Sequence, residues 1–234
     1  MRAYFLTRFS TARAVILASL VAFEKNERIV AVFPEDGDGD YLFYTAGGAV
    51  KRTPCTDYSV RAKRTAALNL KDKDKLLAVE KANGLSLLLV TEKGMSIRFP
   101  LDTVPEMGRV SAGVKGMKLD EDDQVILACP ITVSDQTLLF TERGYAKRLM
   151  GAMFDVQGRA GKGVKCVYFN KSGSTGTYVA AAARITASRA FTVLQHGGLM
   201  TPMLSDELPC QALADKGKPT VMAVLDDVVE DLIL

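Results

Sequence analysis

The chain has 234 residues, 48% hydrophobic and 24% charged, enough apolar material for one large domain or two ordinary ones. Its 30 Lys and Arg stand against 27 Asp and Glu, so a polyanion partner would have to be recognised by where cations sit, not by their excess. A single His and four dispersed Cys (Cys55, Cys129, Cys166, Cys210), with no Cys-x-x-Cys pair, argue against structural zinc, metallohydrolase and Ser-His-Asp chemistry. Such thiols suit small buried hydrophobes in a reducing compartment.

At the N-terminus, Arg2, Arg8 and Arg13 precede residues 14–23 (AVILASLVAF), which are apolar apart from Ser19. Read alone, this has the form of a secretory leader, and it is too short to span a bilayer as a helix, which needs about 20 apolar residues. The stretch recurs further along the chain, however, and the recurrence makes it a strand.

Two elements alternate. The first is an apolar residue, a charged linker and a strand-like run, in AFEKNERIVAV (22–32), NLKDKDKLLAV (69–79) and KLDEDDQVILA (118–128), with a diverged copy at 224–234. The second reads LFYTAGGAVKRTP (42–54), LLVTEKGMSIRFP (88–100) and LLFTERGYAKRLM (138–150), with a poorer copy, VLQHGGLMTP, at 193–202. Apolar β-formers flanking Thr-x-x-Gly describe a β-hairpin, because glycine supplies the positive φ of a tight turn. Gly48, Gly94, Gly144 and Gly197 mark the turns at a period near 50. Pro54, Pro100 and Pro202 are expected to end the second strand of each hairpin.

Each unit therefore offers about four short strands: two in the hairpin, one entering the linker and one leaving it. Sustained helical periodicity is absent. Four strands per repeat describe the blade of a propeller-like array, whose units must stack because a lone blade cannot bury both faces. The units run about 1–40, 41–86, 87–135, 136–187 and 188–234, within a single domain over 1–234. The first is incomplete, and the chain reads as a fragment that begins inside a hairpin.

Cations recur at two places in the unit. One is the second hairpin strand, with Lys51 and Arg52, Arg98, and Lys147 and Arg148. The other is the loop that follows, with Arg61, Lys63 and Arg64; Arg109, Lys115 and Lys118; and Arg159, Lys162 and Lys165. The acids gather in the linkers at 24–27, 72–74 and 120–123. Stacking superimposes equivalent positions, so a nearly neutral chain would carry a basic girdle on one rim, suited to a phosphate backbone. Solvated strand faces and anti-aggregation edge charges are the competing explanation.

Residues 157–163 read Gln-Gly-Arg-Ala-Gly-Lys-Gly. A nucleotide P-loop requires Gly-x-x-x-x-Gly-Lys-[Ser/Thr]; here Gly161-Lys162 is followed by Gly163, and Val156 stands where the first Gly should be. A diluted version at 108–116 makes a repeated contact to a long polymer the better reading.

The Thr-x-x-Gly-x-x-[Lys/Arg]-x-x-Pro hairpin, the Arg-x-x-x-Gly-Val-Lys loop and the closing Leu-x-x-x-Asp cassette resemble the C-terminal domain of the A subunit of bacterial type IIA topoisomerases, gyrase and topoisomerase IV. Residues 157–163 resemble the gyrase box, Gln-Arg-Arg-Gly-Gly-Lys-Gly: Gln157, Arg159, Gly161, Lys162 and Gly163 match, while Gly158 and Ala160 do not. In gyrases the box lies in the first blade, whereas here at least two complete units precede it, which leaves gyrase and topoisomerase IV both open.

The resemblance implies an all-β fold, a propeller-like β-pinwheel of about five four-stranded blades. It implies non-sequence-specific binding and bending or wrapping of double-stranded DNA, in support of ATP-dependent changes of DNA topology by the parent enzyme. The implied partners are the remainder of the topoisomerase A subunit, with the ATPase B subunit reached through it, in the cytoplasm at the nucleoid. The chain itself would not be an enzyme, since the family's catalytic tyrosine lies in an upstream domain. No cofactor, metal, membrane or small-molecule substrate is expected. The rival class is a propeller that binds other proteins and not DNA.

Overall fold

The structure, a computed structural model, describes residues 2–6, 27–33, 37–62, 64–71, 73–224 and 226–234. The stretch 14–23, read above as a strand, lies outside the described residues, as does Lys63.

The described chain is all-β, with single 3₁₀ turns after the hairpins. In chain order come β1 (Arg2–Leu6), the hairpin β2 (Asp40–Thr45) and β3 (Ala49–Pro54), β4 (Arg64–Asn69) and β5 (Leu76–Lys81). Next are the hairpin β6 (Ser86–Thr91) and β7 (Met95–Pro100), β8 (Val114–Lys115) and β9 (Val125–Ile131). The hairpin β10 (Gln136–Thr141) and β11 (Tyr145–Met150) follows, then β12 (Val164–Lys165) and β13 (Val179–Ile185). The last hairpin is β14 (Ala190–Gln195) and β15 (Met200–Leu204), before β16 (Lys218–Pro219) and β17 (Val229–Ile233).

Three sheets share one plan, in the orders β5-β2-β3-β8, β9-β6-β7-β12 and β13-β10-β11-β16. A fourth holds β17-β14-β15, and a fifth pairs β1 with β4. The strand leaving each linker returns to its own hairpin. The strand entering it does not: β8, β12 and β16 each cross to the second hairpin strand of the preceding sheet. The expected fourth strand thus comes from the next repeat, a correction to the sequence reading. Periodicity fixes what repeats but not which neighbour a strand pairs with.

The Thr-x-x-Gly turn supports this exchange. Thr45, Thr91 and Thr141 accept, at Oγ1, the amides of Ala49, Met95 and Tyr145 at 3.1, 3.1 and 3.2 Å. The carbonyls of Gly48, Gly94 and Gly144 then each accept two amides of the incoming strand: Gly116 and Met117, Cys166 and Val167, Thr220 and Val221. Gly144 has φ +74°, and a Cβ there would lie 2.1 Å from the Val221 carbonyl oxygen. Glycine is needed both for the turn and for the docking. In the fourth hairpin the equivalent residue is Gly198, with φ +85°, one place beyond the expected Gly197. Pro202 also departs from expectation, lying inside β15 opposite Thr192. It stands where Arg52, Arg98 and Arg148 stand in the other hairpins, on the outer strand of its sheet, where a missing N–H is tolerated.

The core lies between sheets. Leu42 and Tyr44 of one blade pack with Leu87 and Leu89 of the next. Leu88 and Val90 on the opposite face meet Leu139 and Leu149, and Leu138 and Phe140 meet Phe191 and Val193. The first strands of three hairpins, β2, β6 and β10, are covered on both faces, which is why they read as unbroken apolar runs, whereas β14 alternates between buried and more exposed residues. Burying one such side chain stabilises by about 1.5–3 kcal/mol. Cys55, Cys129 and Cys166 join this interior, but Cys210 is exposed, against expectation.

Strand β5 packs on β9, β9 on β13, and β13 on β17. These edges line the inside of the array, so the exchanged strands β8, β12 and β16, at the opposite edges, form the perimeter.

Candidate nucleic-acid interface

The structure divides the expected cations into two groups. Those of the second hairpin strand are internal. Lys51 and Lys147 are each 1% exposed. The Lys51 ammonium donates to the carbonyls of Ala67 and Arg109, both at 2.5 Å, and to Tyr58 Oη at 3.3 Å. The Lys147 ammonium donates to the carbonyls of Ala212, Leu213 and Asp215 at 3.0, 2.9 and 2.7 Å. Burial lowers both ammonium pKa values to about 8. Both residues are therefore corrected: they are structural plugs, inaccessible to a phosphate. Burial pushes the Tyr58 hydroxyl, which faces Lys51, well above its ordinary range.

The hairpin arginines are half-buried and bind the protein itself. Arg52 pairs with Asp40 at 2.5 Å and Glu106 at 3.2 Å. Arg98 donates to the carbonyls of Gly151 and Phe154 in the next blade. Arg148 reaches Gln136 at 3.0 Å and Asp206 of the next blade at 2.9 Å. They clamp blades together, which corrects their assignment to the rim. Strand exchange is the cause, since it covers the strand that the repeat pattern alone leaves open. A signal was present: Ile97 occupies the repeat position of Lys51 and Lys147, and an apolar residue there marks a buried site.

The loop cations occupy the outside. Lys115 and Lys165 lie on β8 and β12 and are exposed, as are Arg61, Lys118 and Lys162. Arg64, on β4, is half-buried and paired with Glu27. Arg109 is half-buried, with its carbonyl on Lys51. Lys218, on β16, is also exposed and was missed, because the repeat signal fades after residue 170.

The glycine loop draws part of this set together. Its Ala160 amide donates to the Gly116 carbonyl at 2.8 Å, and the Lys118 amide donates back to the Gly161 carbonyl at 2.9 Å. The Arg159 guanidinium holds the carbonyls of Thr103 at 3.2 Å and Lys115 at 2.5 Å. Gln157 contributes its amide, 2.7 Å from the Arg98 carbonyl. Lys115, Lys118, Arg159 and Lys162 thus meet at the seam between two exchanged segments. Lys165 stands nearby in sequence, its ammonium 4.8 Å from the Tyr168 ring centroid. Lys162 is paired across the seam with Asp120 at 2.7 Å, and that hydrogen bond holds the Asp120 carboxyl below its ordinary range. Both partners are well exposed, so the pair is weak and open to exchange for another anion.

Two of the acidic linkers brace turns. Asp74 accepts the Gly47 amide at 2.7 Å, and Asp123 the Lys93 amide at 3.0 Å. Among the described residues, no helix is long and apolar enough to cross a membrane.

A family model described as the DNA gyrase C-terminal domain, beta-propeller, matches residues 40–83, 86–128 and 135–174. The chain is 37% identical over 207 residues to the DNA gyrase A subunit of Mycobacterium tuberculosis, a match covering 85% of this chain and 24% of that protein. It is 37% identical over 153 residues to the DNA topoisomerase 4 A subunit of Bacillus subtilis, covering 63% of this chain and 19% of that protein. A crystal structure of the C-terminal domain of DNA topoisomerase IV shares the fold with a TM-score of 0.84 at 22% identity, over 92% of this chain and 68% of that one. The chain thus spans about a quarter or less of the length of these curated relatives.

Proposed function

Because the chain belongs to the family of DNA gyrase C-terminal, beta-propeller domains, we propose that it binds duplex DNA along its perimeter, without reading sequence, and bends it. The carrying observation is that exposed lysines sit on the exchanged outer strands and on the seam joining two of them, while the hairpin cations are turned inward. Lysines on an outer edge neutralise phosphates and release counterions. Bending a 20–30 bp site by 40–90° costs on the order of 1–6 kcal/mol, so several successive contacts must act together. One exposed lysine per perimeter strand, with Lys118 and Lys162 between, supplies such a series.

In the parent protein the module acts as an accessory to a type II topoisomerase A subunit whose catalytic tyrosine lies elsewhere. It works with the remainder of that polypeptide and, through it, with the ATPase B subunit, in the cytoplasm at the nucleoid.

The test is binding of a fluorescent 40-bp duplex across a salt series. Affinity is expected to fall steeply with salt and to be nearly equal for unrelated sequences. Reversing Lys118 and Lys162 to Glu should weaken it at least ten-fold. These two are better probes than Arg159, whose side chain also holds the loop together. Salt-independent binding, or wild-type affinity in the double reversal, would refute the proposal.

A further inference from the structure

The fourth unit braces its hairpin turn differently from the rest. Elsewhere a linker aspartate accepts a turn amide: Asp74 from Gly47, Asp123 from Lys93 and Asp227 from Gly197. In the fourth unit the polarity is inverted. The acid is Glu142 on the hairpin, 5% exposed, and it accepts the Thr177 amide, the Thr177 hydroxyl and the Tyr178 amide. The linker needs no acid, and residues 170–175 read Asn-Lys-Ser-Gly-Ser-Thr.

This inversion changes the surroundings of the turn cation. In the preceding unit that cation is Lys93, which has Asp122 at 3.9 Å. In the fourth it is Arg143, exposed and lining an open groove of about 700 Å³. Tyr145, Ser172, Ser174, Thr220 and Met222 line the groove with it, and among the described residues no carboxylate does. Lys171 and Lys218, both exposed, flank the lining segments in sequence. Pro219 of the outer strand β16 forms part of one wall, so the groove opens at the perimeter.

We infer that this groove binds a phosphate group. A guanidinium matches two phosphate oxygens with paired N–H donors. Ser172, Ser174 and Thr220 are on the same lining, and hydroxyls rotate about their C–O bonds to suit a new acceptor; that of Thr220 now donates to the Lys218 carbonyl at 3.0 Å. At present Ser172 donates to Ser174 at 3.1 Å, and the Asn170 amide donates to Ser174 at 3.0 Å, so the serine hydroxyls are already gathered. A backbone phosphate of perimeter DNA and a free phosphate anion offer this chemistry alike; the first source rests on the proposed DNA reading, the second does not.

The experiment titrates the 234-residue chain with inorganic phosphate and follows the backbone amides of residues 172–174 and 220 by NMR. The wild type is compared with Arg143→Ala and with the double variant Ser172→Ala, Ser174→Ala. Saturable shifts are expected in the wild type, weakened at least five-fold in both variants. With the 40-bp duplex, Arg143→Ala should lower affinity three- to ten-fold and reduce the slope of log Kobs against log salt by about 0.9, the loss of one phosphate contact. Phosphate shifts that depend on Arg143, with unchanged DNA affinity, assign the groove to a free anion. Shifts that are absent, or indifferent to Arg143, overturn the site. If the Lys118 and Lys162 reversals leave DNA binding intact while the phosphate shifts still require Arg143, the DNA reading fails and the groove stands.

Discussion

Two kinds of exchange loop cross the blades. Over Lys51 and Lys147, the loop turns its carbonyls inward onto a buried ammonium. Over the central blade, Ile97 takes the place of that lysine, and its Cδ1 lies 3.6 Å from the Cβ position of Gly161. This loop instead reaches sideways to the neighbouring segment through Ala160, Gly161 and Arg159. One loop is fastened from below and the other from the side, and the side fastening brings Arg159 and Lys162 against Lys115 and Lys118 of the neighbouring segment.

The largest test of that contrast is Lys147→Met, which keeps the bulk and removes the ammonium donor from three carbonyls, of which those of Ala212 and Asp215 also accept a backbone amide. It should cost about 2–4 kcal/mol in urea unfolding and raise amide exchange in residues 211–215. DNA affinity per folded molecule should change little, since Lys147 is covered. A neutral outcome would mean that the carbonyls find other donors.

Titration sharpens the same contrast. Lys51 and Lys147 have folded pKa values of about 8 against an ordinary 10.5. Between these values the unfolded chain binds more protons than the folded one, so stability should rise with pH from about 8 to 10.5 relative to a Lys51→Met, Lys147→Met variant. Below pH 8 both states hold the proton and the difference should be flat. Denaturant midpoints measured across this window would show it.

The side-fastened loop carries its own strain. Ala160 has φ +69°, a conformation that costs a non-glycine residue about 1 kcal/mol. Ala160→Gly should relieve roughly that amount, less the extra freedom gained by the unfolded chain. Thermal unfolding at neutral pH measures it, and a clear loss of stability would show that the Ala160 methyl contributes packing.

The smallest expected effect is at Asp120. Its exposed pair with Lys162 adds little stability, so Asp120→Asn should leave unfolding unchanged within experimental error. It removes a competitor for the Lys162 ammonium, and DNA affinity should rise two- to three-fold in the anisotropy assay. The same gain in a Lys162→Ala background would show that the effect is one of general charge and not of the pair.

The hairpins were legible because their chemistry is local. Thr141 and Gly144 lie three residues apart, and each has a defined task in the turn. Pairing between repeats was not legible, since nothing in Val114-Lys115 says that its partner is Ala49-Val50 and not a strand of its own unit. The misplaced rim followed from that. Arg98 reads as a surface cation until Gly151 and Phe154 of the next blade are seen to cover it. Lys115 and Lys165 were legible as outer cations because both stand at the same distance beyond their turn glycines, Gly94 and Gly144. Arg143 and Lys218 escaped, because the first lies in a turn that carries Gly47 in one repeat and Gly197 in another, and the second sits one register place away from Lys115 and Lys165.

Strand exchange also decides how such an array can grow or shrink. A cut made between one hairpin and the next removes the edge partner of the blade that is kept, baring amides of β3, β7 or β11 to intermolecular pairing. The segment that can be duplicated or deleted without leaving an orphan edge starts just after one crossing strand and stops just after the next. Recombination within the loop behind Lys115 or Lys165 therefore yields complete discs, whereas recombination at the apparent repeat boundary yields frayed ones.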